Sequence, residues 1–196
     1  MPSEPIILAF DTSAAHCAAA LLRGDDIQSA RVEAMTRGQA ERLMPLLEEL
    51  LTDSNCAWSD LDAIGVGTGP GNFTGIRISV SAARGLALGL GVPAIGVTGF
   101  EALSRLAPQD QLAAIPAPRE QIYVHPTGQD PQLIPQDAAA KLGQLFICDD
   151  PKDHVCAIAH IAAQRASDPA SPPAPLYIRA ADAAPSKDRP PVLLDE

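Results

Sequence analysis

"GVGTGPGNFTGIRISVSAARGLALGLG", residues 65 to 91, sets a glycine-rich loop between a short apolar run and a long segment of small side chains. Gly67, Gly69 and Gly71 free the backbone and Pro70 stiffens it, the composition of a turn that ends a strand and launches a helix. Amides at the start of that helix, near Phe73 or Thr74, would add to the helix dipole, so an anion site is one reading of the loop. A purely structural turn is the other. The loop is not a Walker motif: no Gly-Lys-Ser/Thr follows, and Arg77 is the nearest cation. It is not the dinucleotide fingerprint either, because no acidic residue sits suitably after a following strand.

Working outward, "LDAIGVGTG" reads as the strand before the loop, and "VPAIGVTGFEALSRLA" as a strand followed by a helix entered through Thr98. Upstream, "PIILAFDTS" is a buried strand that runs into a polar turn at Asp11, Thr12 and Ser13. "HCAAALLRGDDIQSARVEA" adds two strands around Gly24, Asp25 and Asp26, giving an antiparallel meander. "TRGQAERLMPLLEELLTDSN" places apolar residues at 40, 43, 44, 47, 50 and 51, one face of a helix. Thr36 and Gln39 have capping-box spacing, and Pro45 predicts a kink or an opened turn. Strands alternating with helices predict an α/β fold, a mixed sheet flanked by helices.

Residues 1–107 form the first lobe in this reading, 108–180 a second lobe, and 181–196 a Pro-rich tail. In the second lobe "QLAAIPAPREQIYVHPTG" predicts two strands around a turn, "AAAKLGQLFICDD" a helix and a strand, and "HVCAIAHIAAQRA" a short helix.

Hydrophobic residues are 46% of the 196 and charged residues 19%, a globular composition. The net charge of −10, with no Lys/Arg cluster, argues against an unaided nucleic-acid binder. The start lacks a basic segment, and no apolar stretch of about 18 residues occurs, so neither a signal peptide nor a membrane span is expected. Four scattered cysteines fit reduced thiols and a cytoplasmic location.

"ILAFDTS", "GVGTGPGNFTGIRISVSAARGLA" and "PLYIRAADAAPSK", in that order, resemble the TsaB (YeaZ) family over residues 6 to 107 and again at the terminal motif. The resemblance implies an actin-like ATPase fold with two lobes. It implies a role in making N6-threonylcarbamoyladenosine beside the tRNA anticodon, as the non-catalytic partner of the transferase TsaD, with the ATPase TsaE; TsaC makes the activated donor. It also implies a homodimer when TsaD is absent, contact with tRNA only through the complex, no required cofactor, and room for ATP or ADP at the partner interface. Three departures stand out. Gln39 replaces a histidine common in the first helix, Pro116 replaces the acid of an Asp-Ala-Arg-type turn with Arg119 displaced, and the second lobe is short.

The chemistry-bearing candidates are few. Asp11, Thr12, Ser13, Gly69, Gly71 and Thr74 form the candidate phosphate site, and Asp11 with the Gly67–Gly75 loop would serve an independent ATPase or phosphotransferase, the alternative reading. No G-x-S-x-G, HExxH or HxxxH occurs, so neither a serine hydrolase nor the transferase's metal site is expected. Cys148, His154, Cys156 and His160 have zinc-type side chains, but three of them cannot share one helical face. No metal site is expected. In the loop's helix, glycine at Gly75, Gly85 and Gly89 costs about 1 kcal/mol each against alanine, so a close-packed neighbour is expected. The predicted partner face comprises Leu43, Met44, Leu47, Leu50 and Leu51 on the first helix and Ile76, Ser79, Ala83 and Leu86 on the second, meeting a partner as a four-helix bundle.

Overall fold

The computed structural model describes residues 4–168 and 171–178. Strands β1 (Ile6–Asp11), β2 (His16–Arg23) and β3 (Asp26–Ala34) form the predicted antiparallel meander. Strands β4 (Ala63–Gly67) and β5 (Ala94–Val97) add in parallel beside β1, so the first sheet runs β3-β2-β1-β4-β5. The chain alternates faces with period two. Ile6, Leu8 and Phe10 enter one core, with α1 (Gln39–Asp53) and α2 (Phe73–Leu90); Ile7 and Ala9 enter the other, with α5 (Pro151–Arg165). Both faces of β1 are therefore apolar, as a strand covered on two sides requires.

Helix α3 (Gly99–Leu106) opens on the capping box that Thr98 and Glu101 make, and Glu101 also pairs with Arg165 of α5 at 2.6 Å. The second sheet contains β6 (Leu112–Ala117), β7 (Gln121–Val124), β8 (Gln132–Pro135) and β9 (Leu145–Phe146), ordered β8-β7-β6-β9, with one short turn of helix, α4 (Gln136–Ala139). Its own core is small: Ala114, Ile122, Val124 and Ala139.

Several expectations are corrected. The segment expected as a second lobe over 108–180 is divided, because α5 is fifteen residues long and packs Val155, Ile158 and Ala162 on the first sheet. Helix α1 starts after Gly38, at φ 89°, without a side-chain cap; Gln39 donates to the Met35 carbonyl instead of boxing with Thr36. It also runs unbroken through Pro45, since Pro45 and Glu41, whose carbonyl loses its amide partner, both lie on the solvent side. The expected tail, 181–196, lies outside the described residues.

The predicted partner face is mostly core. Leu43, Leu47, Leu50, Leu51, Ile76, Ser79 and Ala83 are all buried within this one chain, and Leu86 packs against the same cluster. The physical reason is the breadth of the sheet: two helices laid side by side on β1, β2 and β4 need a wide apolar stripe, and the surplus of leucines in α1 is used there. Only Met44 of that set is exposed.

Candidate functional site

The glycine loop is packed from inside. A Cβ on Gly67 would overlap Asp11 Oδ1, and one on Gly71 or Gly75 would overlap the Ser13 or Thr12 carbonyl oxygen. Thr12 Oγ1 donates to the Gly75 carbonyl at 2.6 Å, and the Asn72 amide donates to the Ser13 carbonyl at 2.6 Å. Asn72 also caps α2 through its side chain, which accepts from the Gly75 amide. The inward side of the loop is thus packed against the Asp11–Ser13 turn, while Gly71, Asn72 and Phe73 line an open cleft on its other side. Gly69, at φ 89°, gives its carbonyl to the Gly99 amide, which ties the loop to α3. Thr74 is exposed on the first turn of α2.

Asp11 itself is buried and serves as a hub. Its Oδ2 accepts from the Ser13 amide (3.1 Å), the Ser13 hydroxyl (2.9 Å) and His16 Nε2 (2.9 Å). Oδ1, against Gly67, has no partner. Burial alone pushes the carboxyl up, but His16, His154 and Ser13 outweigh it and hold Asp11 below the ordinary carboxylate range. This is not a serine-protease triad. There the imidazole stands between serine and carboxylate, whereas here serine and imidazole both bind the carboxylate and do not bond each other.

His16 is the residue that sequence reasoning missed, and His154, singled out there only as a zinc-type side chain, lies beside it. Both line a cavity of about 240 Å³ where the two sheets face each other, with Ser13, Leu103, Ile115 and Pro116 among its walls. It adjoins a wider cleft of about 580 Å³ that reaches Gln39, Asn72 and Tyr123. His154 Nε2 is shut off from solvent without a hydrogen-bond partner, and burial pushes that imidazole down more than Asp11 raises it. Cys148 shares the cavity wall, while Cys156 and His160 do not, so the four zinc-type side chains are not brought together. Burial also raises the Cys148 thiol. Among the described residues no group of three or more His, Cys, Asp or Glu side chains is arranged so that it could hold a metal ion.

Residues 172–178 return to the loop. Leu176 donates its amide to the Thr68 carbonyl at 2.8 Å, and the Tyr177 ring sits 4.8 Å from Phe73. Arg77, rather than facing the loop's concavity, stacks over Phe73 at 3.9 Å and donates to the Tyr177 hydroxyl. All three sequence motifs therefore meet at one place: the first supplies the turn, the second the loop, the third the strap across it. Residues 179–187 of the third lie outside the described residues.

A family model described as "TsaD: tRNA N6-adenosine threonylcarbamoyltransferase" matches residues 33–180. The chain belongs to this family. Within it, the similar proteins are those of the TsaB/YeaZ branch. The Escherichia coli tRNA threonylcarbamoyladenosine biosynthesis protein TsaB is 37% identical over 122 residues, covering 60% of this chain and 52% of that protein. Its Haemophilus influenzae namesake is 31% identical over 146 residues, 71% of this chain and 58% of the other. The chain spans little more than half the length of these relatives. A Pseudomonas aeruginosa crystal structure, of an uncharacterized protein with similarity to peptidase YeaZ, superposes with a TM-score of 0.72 at 25% identity, over 89% of this chain and all of that one. The two-sheet α/β architecture of the TsaB/YeaZ branch is thus the fold of this chain, with the mixed sheet that the actin-like resemblance implies.

Proposed function

We propose that this chain acts in tRNA threonylcarbamoyladenosine biosynthesis as a partner of the transferase TsaD and performs no chemistry of its own. The observation that supports the non-catalytic reading is the seclusion of Asp11: its carboxylate is buried, one oxygen is bonded to Ser13 and His16, and the other is closed in against Gly67. The TsaB relatives support the pathway, and the missing HxxxH pair separates this chain from the transferase for which the family model is named.

The contact surface is the outward side of the same two helices, not the leucines first assigned to it. Among the described residues nothing stands within 4 Å of where a Cβ would project from Gly85 or Gly89, and Leu88 between them is 86% exposed. With Met44 on α1, they let a second pair of helices approach closely. TsaD takes this face in the complex, a second copy of the chain takes it when TsaD is absent, and TsaE joins the pair. ATP or ADP, if it binds, does so at the partner interface, and tRNA is held by the partners. None of the described helices is long and apolar enough to cross a membrane.

The test is reconstitution of tRNA modification from TsaC, TsaD and TsaE with and without this chain, alongside an ATPase assay on the chain alone. Modification is expected only when the chain is present, and the isolated chain is expected to hydrolyse no ATP. Turnover by the isolated chain, abolished by Asp11→Asn, would instead establish the independent ATPase.

A further inference from the structure

The charges on the outward side of the helix pair form a pattern that one copy of the chain does not use. From Ala63 to Phe100 there is no acidic residue, although the chain carries 24 in 196, and the two charges in that span are Arg77 and Arg84 of α2. Both are exposed, seven residues apart, on the flank of α2 that faces residues 172–178. Arg77 donates to the Tyr177 hydroxyl there, and Arg84 borders a groove with Pro172 and Pro173. On α1, Glu49 and Asp53 are spent on Arg31 of β3, and Glu49 also on Arg42. Glu41 and Glu48 are likewise exposed and seven residues apart. Among the described residues neither they nor the two arginines enter an ion pair. Seven residues are two turns, about 10 Å along a helix, so the acid rail and the basic rail have one spacing.

The two helices also run the same way. Helix α1 joins β3 to β4 and α2 joins β4 to β5, three strands that point in one direction, and both helices start beside one cleft, at Gln39 and Phe73. A two-fold axis that brings two such faces together lies either across the helices or along them. Across, α1 lands on α1 and α2 on α2, which stacks like charges. Along, α1 of the second copy runs parallel to α2 on its arginine flank, and Glu41 and Glu48 come level with Arg77 and Arg84. Ser81 between the arginines and Gly85 beside them are small and exposed, which leaves room for the approach. We propose that a second copy docks in this second way, its Glu41 on Arg77 and its Glu48 on Arg84, with the two-fold repeating both pairs. The charge register then selects the arrangement. The inference rests on the reading that a second copy takes this face, and adds which helix meets which.

Sedimentation equilibrium on the full chain, without other proteins, is the test. The dimer is expected to weaken at least about tenfold as salt rises from about 0.05 M to about 0.5 M, because exposed pairs are screened. Arg84→Glu and Glu48→Arg each replace two attractive contacts per dimer by two repulsive ones, so each should weaken it at least about tenfold. The double variant Glu48→Arg/Arg84→Glu should regain most of that loss. Leu88→Glu is the control for the face itself. If Leu88→Glu abolishes the dimer while salt and the charge variants leave it unchanged, the register fails and the partner face stands. If Leu88→Glu also leaves it unchanged, or the parent stays monomeric, the second-copy reading fails and the register with it. A Glu48→Arg dimer stronger than the parent would establish the like-on-like arrangement and overturn the proposal. A salt-insensitive dimer overturns the register without any variant, so the test holds even where one of them does not fold.

Discussion

Glycines on the two sides of α2 should respond to alanine with opposite signs. Gly85 and Gly89 face open space, so a methyl group there meets nothing among the described residues. Alanine in a helix interior gains about 0.8–1.0 kcal/mol over glycine. For a domain of 150–250 residues that corresponds to a rise of about 2–4 °C in melting temperature. Gly75 lies in the first turn of the same helix, and its Cβ would overlap the Thr12 carbonyl oxygen, a backbone atom that cannot rotate away. Overpacking of this kind costs about 1–3 kcal/mol. The shift would also strain the buried bond from Thr12 Oγ1 to the Gly75 carbonyl, worth about 1 kcal/mol. The collision outweighs any gain in helix propensity, so Gly75→Ala should lower the melting temperature by several degrees. Circular dichroism melts of the two single variants against the parent measure the difference directly. A neutral or stabilising Gly75→Ala would show that the loop does not rest on the Asp11–Ser13 turn. A destabilising Gly85→Ala would mean that something in this chain covers the outer face of α2, which would remove the proposed contact surface.

The inward and outward sides of the helix pair should separate in the same way under charge. Leu47→Glu buries an unpaired carboxylate in a site with no exposure and is expected to abolish cooperative folding, whereas Leu88→Glu should melt normally and lose TsaD in a pull-down. A folded Leu47→Glu would contradict the packing of α1. Two buried groups contribute to the acid limb of stability, to which His160 and Glu101 also add. Both Asp11 and His154 titrate below their ordinary values when folded, so the unfolded chain binds protons first and stability falls as pH drops. The His154 contribution is lost below about pH 6.5 and the Asp11 contribution below about pH 3.9, the unfolded values. Urea titrations from neutral pH downward should therefore show an earlier loss that His154→Phe reduces, and an undiminished loss in the variant would dissociate it from His154. Elemental analysis of the purified, tag-free protein should find no stoichiometric zinc; one zinc per chain, lost on mutating Cys148 and Cys156, would show that the side chains gather in solution.

What could be read from the sequence was local. The meander, the strand before the glycine loop and the Thr98 helix start all rest on patterns of a few neighbouring residues, alternating apolar positions in β1 or a capping residue before a helix. Which side of a helix meets the core is not local. The spacing of Leu43, Leu47 and Leu50 reports a face but not its direction, and that face turned inward because α1 and α2 together cover one side of the five-stranded sheet. The same blindness divides the glycines of residues 65–91, where Gly67 and Gly75 answer to the Asp11–Ser13 turn while Gly85 and Gly89 answer to nothing among the described residues. Helix α5 was underestimated because apolar residues surround most of it. A helix that packs on the first sheet and also meets α3 has no clear polar face to announce its length.

The candidate site was half legible, and the missing half has a specific cause. Asp11 and Ser13 stand out as polar residues ending a buried strand, and His16 opens the next strand after a turn of four residues. That spacing, an acid at a strand's end with a histidine five residues on, was a usable signal, because the antiparallel return brings the start of β2 back beside the end of β1. His154 drew notice only as a zinc-type side chain, and nothing in the sequence linked it to Asp11. It reaches the cavity only because α5 crosses from the second sheet back to the first, a path that no segment of the sequence encodes by itself. The consequence is physical as well as predictive. An imidazole delivered to the interior from a distant helix stays buried without a partner only while the two sheets hold their positions around it, so the polarity of the cavity is a property of the assembled lobes and not of either one.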